Sequence, residues 1–285
     1  GYTCLDLFLH KALTDSAEAA LGEILTATKD RNIIAAVGLP VVIDEKLYNC
    51  AAIICRGKLL GLIPKENIPN YSEFQELRHF TPADPSGAVK MTDFCGTTVP
   101  FGQKQLFKCA GMRDFVLACE ICEDLWVPAS PSVGHAAAGA TVIINLSASS
   151  ETIGKAAFRR SLVSIQSAKL LAGYVYSDAG DGESTTDLTF SGHSIIAENG
   201  KILAESTPYK NGITVSEIDV EKLIHERKRI NTFAAENDNY HITCFELDDR
   251  ECVLSRKISR TPFVPNEKDA LNRRAKEILS MQVAG

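Results

Sequence analysis

The chain has 285 residues, of which 45% are hydrophobic and 23% charged, with a formal net charge of −6. These are proportions of a globular chain with a sizeable core in one or two domains, and an acidic balance without a basic stripe gives nucleic acid no footing. No apolar run approaches the roughly 18 residues of a membrane span, and Gly1-Tyr2-Thr3-Cys4 has no basic region leading into an apolar one, so no secretory leader is expected.

Residues 1–14 are already apolar and aromatic, so the chain opens inside a fold. Asp15 or Ser16 is the expected cap of a helix that carries Leu21, Ile24, Leu25 and Thr28 at helical spacing. Three apolar runs follow, 33–42, 49–54 and 58–63, joined by Asp44-Glu45-Lys46 and Arg56-Gly57, and they read as strands of one sheet linked by hairpin turns. Residues 64–74 hold two prolines, charges and aromatics, so they form a loop that walls a site or simply connects in solvent. Strands are expected at 97–100, 105–108, 115–119, 141–146 and 174–176, with two more around Glu198-Asn199-Gly200. Helices are expected at 132–138, at 153–172 with Gly173 as its cap, and at 221–234. Residues 236–265 read as an irregular linker after a domain spanning 1–235. Asn266 is the expected cap of a last helix, 266–285, whose Leu271, Ala275, Ile278 and Leu279 form an apolar stripe.

The chemistry concentrates at Ala118–Trp126, where the apolar run Phe115-Val116-Leu117 empties into two cysteines and three carboxylates. A strand ending so abruptly resembles a nucleophile elbow, and Cys122 is its candidate nucleophile. A free cysteine has a pKa near 8.5, so such a thiol needs a base, a cation or exposed backbone N–H groups to react. The attacked carbonyl also needs donors for its developing oxyanion. Lys65, at the end of a buried strand, is the candidate cation, and Glu73 is the carboxylate expected to hold it, since a buried ammonium is costly unless paired.

Blander readings compete. Cys119-x-x-Cys122 could be half a zinc or redox site, but no second pair stands at metal spacing and the six histidines are scattered, so no metal is expected. A lone buried cysteine is more often packing than chemistry. His193, in Ser-Gly-His-Ser, could pair with a cysteine or be a structural turn residue. The nine cysteines, Cys50 and Cys55 among them inside apolar strands, read as reduced thiols, which places the chain in the cytoplasm.

Pro64-Lys65 with Pro69-Asn70-Tyr71-x-Glu73-Phe74, followed by Glu120-Ile121-Cys122-Glu123-Asp124-Leu125-Trp126, resembles the lysine and cysteine motifs of the nitrilase (carbon–nitrogen hydrolase) superfamily. Asn145-Leu146-Ser147-Ala148-Ser149, Ile153-Gly154-Lys155, Gln166-Ser167-Ala168 and the 182–188 stretch are similar, more finely, to the glutaminase domains of glutamine-dependent NAD synthetases. The opening Gly1-Tyr2 and the closing 277–282 resemble that family too, so the similarity runs from end to end.

This resemblance implies an α/β fold, an α-β-β-α four-layer sandwich whose first strands would precede Gly1. It implies that Cys122 forms a glutamyl thioester, that Lys65 and the backbone N–H of Glu123 stabilise the oxyanion, and that Glu73 orients the lysine. Tyr71, Ser149 and Lys155 fall where the family contacts glutamine. The ammonia would pass to a synthetase domain that amidates deamido-NAD. The family's general-base glutamate would lie upstream of Gly1, so residues 1–285 alone are expected to be weak or inactive. No cofactor is expected here, since ATP, magnesium and deamido-NAD belong to the synthetase part, whose S-G-G-x-D-S loop does not occur. A large homo-oligomer is implied, with glutamine and the synthetase domain as partners and neither membrane nor nucleic acid. Alternatives are a stand-alone amidase or carbamoylase of the same superfamily, or a sandwich that has lost its chemistry and serves assembly.

Overall fold

Side chains alternate from face to face along a strand, and β1 (Ile34–Ile43), β2 (Lys46–Cys55) and β3 (Lys58–Pro64) are apolar on both faces. Such strands call for cover on both sides; β2 and β3 have it, while β1 at the sheet edge is only partly covered. The computed structural model describes residues 2–285 except 186, 234–238, 249–255, 257, 259, 262 and 266. Tyr48, Cys50, Ala52 and Ile54 turn outward to meet Leu21 of α1 (Lys11–Thr28). Ala51, Ile53 and Cys55 turn inward against Phe107, Leu117, Cys119 and Ile121 of a second sheet.

The first sheet runs β1-β2-β3-β5-β4, with β4 at Lys90–Phe94 and β5 at Thr97–Phe101. The second comprises β6 (Gln105–Cys109), β7 (Val116–Ile121), β8 (Val142–Ser147), β9 (Gly173–Asp178), β10 (Ile195–Glu198), β11 (Lys201–Glu205) and β12 (His241–Phe245), in the order β11-β10-β9-β8-β7-β6-β12. On its outer face Ala136 of α2 (Pro131–Ala137) and Val163 and Leu170 of α3 (Lys155–Leu170) pack on Ile143, Tyr174 and Ile195. The layers are therefore helix, sheet, sheet, helix, the four-layer α/β sandwich that the resemblance implies. β7, β8 and β9 are parallel, so their C-terminal ends open on one edge, where ligands bind in sheets of this kind.

Four hairpins turn on two residues with positive φ, at Asp44-Glu45, Arg56-Gly57, Cys95-Gly96 and Asn199-Gly200. This is the geometry that matches strand twist. Gln105 ties the sheets together, its Nε2 donating at 2.8 Å to the carbonyls of Leu62 and Gly102. A Cβ on Gly61 would meet that side chain at 2.3 Å, so glycine is required there.

The structure corrects several expectations. α1 starts four residues before Asp15, after His10. α3 ends on Leu171 in the left-handed conformation; Gly173 instead begins β9, where a Cβ would strike Ile218. The helix expected at 221–234 is α4, Val220–Arg229, capped by Asp219, whose side chain accepts the Lys222 amide at 2.9 Å. β4 lies where no strand was expected, and β12 interrupts the expected 236–265 linker by pairing in parallel with β6.

The chain forms two compact units, Gly1–Arg250 and Glu251–Gly285. The second holds α5 (Lys268–Ala284), entered from Glu267, while the expected cap Asn266 lies outside the described residues. Among the described residues no helix is long and apolar enough to cross a membrane.

Candidate active site

β7 delivers Cys122 to the sheet edge at the first position of a single tight helical turn, Cys122–Leu125. The Cys122 backbone has a φ of +49°, a left-handed conformation that costs a non-glycine residue about 1–2 kcal/mol. Three contacts hold it there. The Cys122 amide donates to Asn145 Oδ1 at 3.0 Å. Asp124 accepts the Ile121 amide at 3.0 Å and, with its other oxygen, the Asn67 amide at 2.8 Å, which ties the elbow to the loop after Lys65.

Lys65 follows the last residue of β3, its amide donating to Asn49 and its carbonyl accepting from Ala83. Its side chain is 1% exposed, and its Nζ meets Glu76 Oε2 at 2.7 Å. Burial works against the ammonium, but negative charge on Cys122, present when it is a thiolate, and the Glu76 carboxylate outweigh it, so the Lys65 pKa is raised. Lys65 is therefore a fixed cation at neutral pH. The Cys122 pKa is raised by burial, with Lys65 only partly offsetting it, so the resting group is a thiol with a cation beside it.

The expected lysine partner, Glu73, is not the one found: among the described residues Lys65 pairs with Glu76. Glu73 accepts from the Ser150 hydroxyl at 3.0 Å, and Lys155 Nζ reaches the same hydroxyl at 3.2 Å. The reason is local geometry. Glu76 begins a short helical turn, Glu76–Arg78, and its second oxygen accepts from the Tyr2 hydroxyl. Tyr2 stacks on Phe190 with ring centroids 5.7 Å apart. Sequence reasoning missed Tyr2, Glu76 and Asn145 as site residues, although Tyr2 and Asn145 lay in stretches that carry the resemblance.

A cavity of about 210 Å³ unites Cys122 and Lys65 with Tyr2, Glu76, Phe80 and Ala148. The remaining candidates stand around it without lining it. The Tyr71 hydroxyl donates to Glu123 at 2.8 Å. The Ser149 amide donates to Asp178 at 2.8 Å, and its hydroxyl accepts from buried Arg159 at 3.3 Å. Lys155 opens α3 with its Nζ 5.4 Å from the Trp126 ring centre and 5.8 Å from that of Phe74. Cys119 and Cys122 are both free thiols. Among the described residues no group of three His, Cys, Asp or Glu side chains is placed to hold a metal. His193 lies between Arg159, 3.0 Å from its Nδ1, and Glu205, 2.7 Å from its Nε2.

A thiol on a strained elbow, a buried cation and a small cavity form an arrangement that can support nucleophilic attack on a carbonyl carbon. Residues 1–228 match the carbon–nitrogen hydrolase family, and the chain belongs to that family. Glutamine-dependent NAD(+) synthetase of Mycobacterium tuberculosis is 40% identical over 298 residues, covering all of this chain and 43% of that protein. The Aquifex aeolicus protein of the same name is 29% identical over 90% of this chain and 42% of its own length. Among solved structures, a glutamine-dependent NAD(+) synthetase from Cytophaga hutchinsonii superposes with a TM-score of 0.66 at 29% identity, covering 75% of this chain and 35% of that one. A carbon–nitrogen hydrolase from Helicobacter pylori, at 18% identity and a TM-score of 0.59 over 76% of this chain and 73% of that one, shares the fold. The chain thus spans less than half the length of the synthetases it resembles.

Proposed function

We propose that this stretch is the glutamine amidohydrolase part of an NAD synthetase. The observation that carries the reading is the pairing of Cys122 with Lys65 across one small cavity, in a chain that M. tuberculosis synthetase matches over its whole length. The thiol sulfur attacks the side-chain amide carbon of glutamine as its proton leaves to a base. The carbonyl oxygen becomes an oxyanion facing the Lys65 ammonium and the Glu123 N–H. Collapse of that intermediate breaks the C–N bond, the nitrogen takes up a proton and leaves as ammonia, and a glutamyl thioester remains on Cys122. Water then attacks the thioester, releasing glutamate and restoring the thiol.

Because the Cys122 pKa is raised, attack requires proton removal in concert. A positioned base contributes ~10²–10⁴-fold. The resemblance puts that base before Gly1, so a polypeptide of residues 1–285 alone is expected to fall short of a chain carrying it by that factor. Tyr71, Ser149 and Lys155 are assigned to the polar ends of glutamine and Glu123 to the oxyanion through its backbone N–H, with Glu76, in place of Glu73, holding Lys65. Ammonia passes to a synthetase part beyond these residues, where ATP, magnesium and deamido-NAD bind; no cofactor is assigned here.

The test is labelling with a diazo-ketone analogue of glutamine, followed by peptide mapping. A single adduct on Cys122, abolished by Cys122→Ala and by prior glutamine, is expected. Labelling scattered across the thiols, or a Cys122→Ala protein that still forms glutamate, overturns the reading.

A further inference from the structure

Glu120 lies two residues before the nucleophile, and strand alternation turns its side chain away from the inter-sheet core toward α2. It is fully buried, and the chemistry above does not use it. The Tyr174 hydroxyl donates to one of its oxygens and the Ser132 amide donates to the other at 2.8 Å. A tyrosine hydroxyl has one proton to give. Having given it to Glu120, Tyr174 can only accept from Asn145 Nδ2, which stands 3.2 Å away. That contact, together with the Cys122 carbonyl 3.5 Å from the same nitrogen, sets which way the Asn145 amide faces, because its two ends have nearly the same shape and only their partners tell them apart. With Nδ2 on Tyr174, Oδ1 faces the elbow and accepts the Cys122 amide at 3.0 Å and the Ser147 hydroxyl at 2.8 Å.

We propose that Glu120 is a positioning residue: through Tyr174 it fixes the orientation of the Asn145 amide, and that amide holds Cys122 in the left-handed conformation that aims its sulfur into the cavity. The proposal rests on the reading of Cys122 as nucleophile. It makes the direction of the hydrogen bonds, and not only their presence, part of the site. An ionised carboxylate at position 120 accepts from both sides; burial lifts the Glu120 pKa to about 7, so the comparison with glutamine is made above that pH. A glutamine there accepts the Ser132 amide on its oxygen and turns its NH₂ toward Tyr174. Tyr174 then donates to Asn145, the amide turns over, and its NH₂ faces the Cys122 N–H, donor against donor.

The experiment compares Glu120→Gln, Tyr174→Phe and the double variant in the intact protein. The readouts are kcat and KM for glutamine, the rate of Cys122 alkylation by iodoacetamide, and thermal unfolding to confirm folding. Glu120→Gln is expected to lower kcat and the alkylation rate by about tenfold or more with KM within about twofold, and Tyr174→Phe by only about threefold. Adding Tyr174→Phe to Glu120→Gln removes the misdirected hydroxyl, so the double variant is expected to recover to the level of Tyr174→Phe alone. A folded Glu120→Gln protein with wild-type alkylation, or a double variant at or below the product of the single losses, overturns the proposal. If Glu120→Gln does not fold, wild-type kcat and alkylation in Tyr174→Phe overturn it just as well. Iodoacetamide needs no glutamine site, so the two readings fail separately. Absent glutamine turnover with the expected alkylation pattern sinks the substrate and keeps the relay; the reverse sinks the relay alone.

Discussion

At the scale of single residues, a charge buried at 1% exposure survives only with its partner, and the partner of Lys65 is Glu76. Removing one member of a buried ion pair strands the other and costs about 3–5 kcal/mol. Glu76→Gln is therefore expected to lower stability to urea by that order and to cut glutamine turnover sharply. Glu73→Gln keeps an oxygen to accept from the Ser150 hydroxyl and is expected to cost under ~1 kcal/mol, with any kinetic effect falling mainly on KM. Equal destabilisation by the two variants would refute this assignment. The sequence placed both carboxylates within one short segment, and motif spacing selected Glu73. Which of two glutamates three residues apart reaches Lys65 depends on the turn at Glu76–Arg78, and no periodicity encodes that turn. Cys122 and Lys65 were legible because an apolar strand that ends in a reactive side chain leaves a plain mark in the sequence.

Among the elements, the hairpins offer an internal comparison. Three of the four two-residue turns carry glycine at their second position, Gly57, Gly96 and Gly200, and the first carries Glu45 with a φ of +63°. Glycine adopts that conformation freely, while other residues are strained by about 1–2 kcal/mol. Glu45 is exposed and makes no demand on the site. Glu45→Gly is expected to raise stability by about 0.5–1 kcal/mol, the strain relieved less the extra chain entropy glycine loses on folding. Chemical unfolding reads this directly, and a less stable variant would mean that Glu45 is not strained. The first three strands were readable because β1 to β3, although β1 lies at an edge, are apolar on both faces, and the Asp44-Glu45 and Arg56-Gly57 turns punctuate them. β4, with Lys90, Met91 and Asp93 exposed, and β12, with His241, Ile242 and Cys244 exposed, lie at sheet edges. An edge strand needs no apolar pattern, because backbone pairing holds it. Such strands are invisible to a search for buried runs.

At the scale of the whole molecule, the sandwich is layered by burial: the same alternation that fills the inter-sheet core with Ile53, Phe107 and Leu117 sends Glu120 and Tyr174 to the helix side. The two faces of β7 thereby divide the labour around one cysteine. The family match stops at residue 228, but the fold does not. Its second sheet is finished by His241–Phe245, which lies along the full length of Gln105–Cys109. A protein engineer who trims this chain at the end of the recognised family would strip off that last strand. The open backbone edge of β6 would then be free to recruit strands from neighbouring molecules. A polypeptide ending at residue 235 is expected to form aggregates by light scattering at concentrations where one ending at residue 248 stays monodisperse. Equal solubility of the two would show that the closing strand guards nothing.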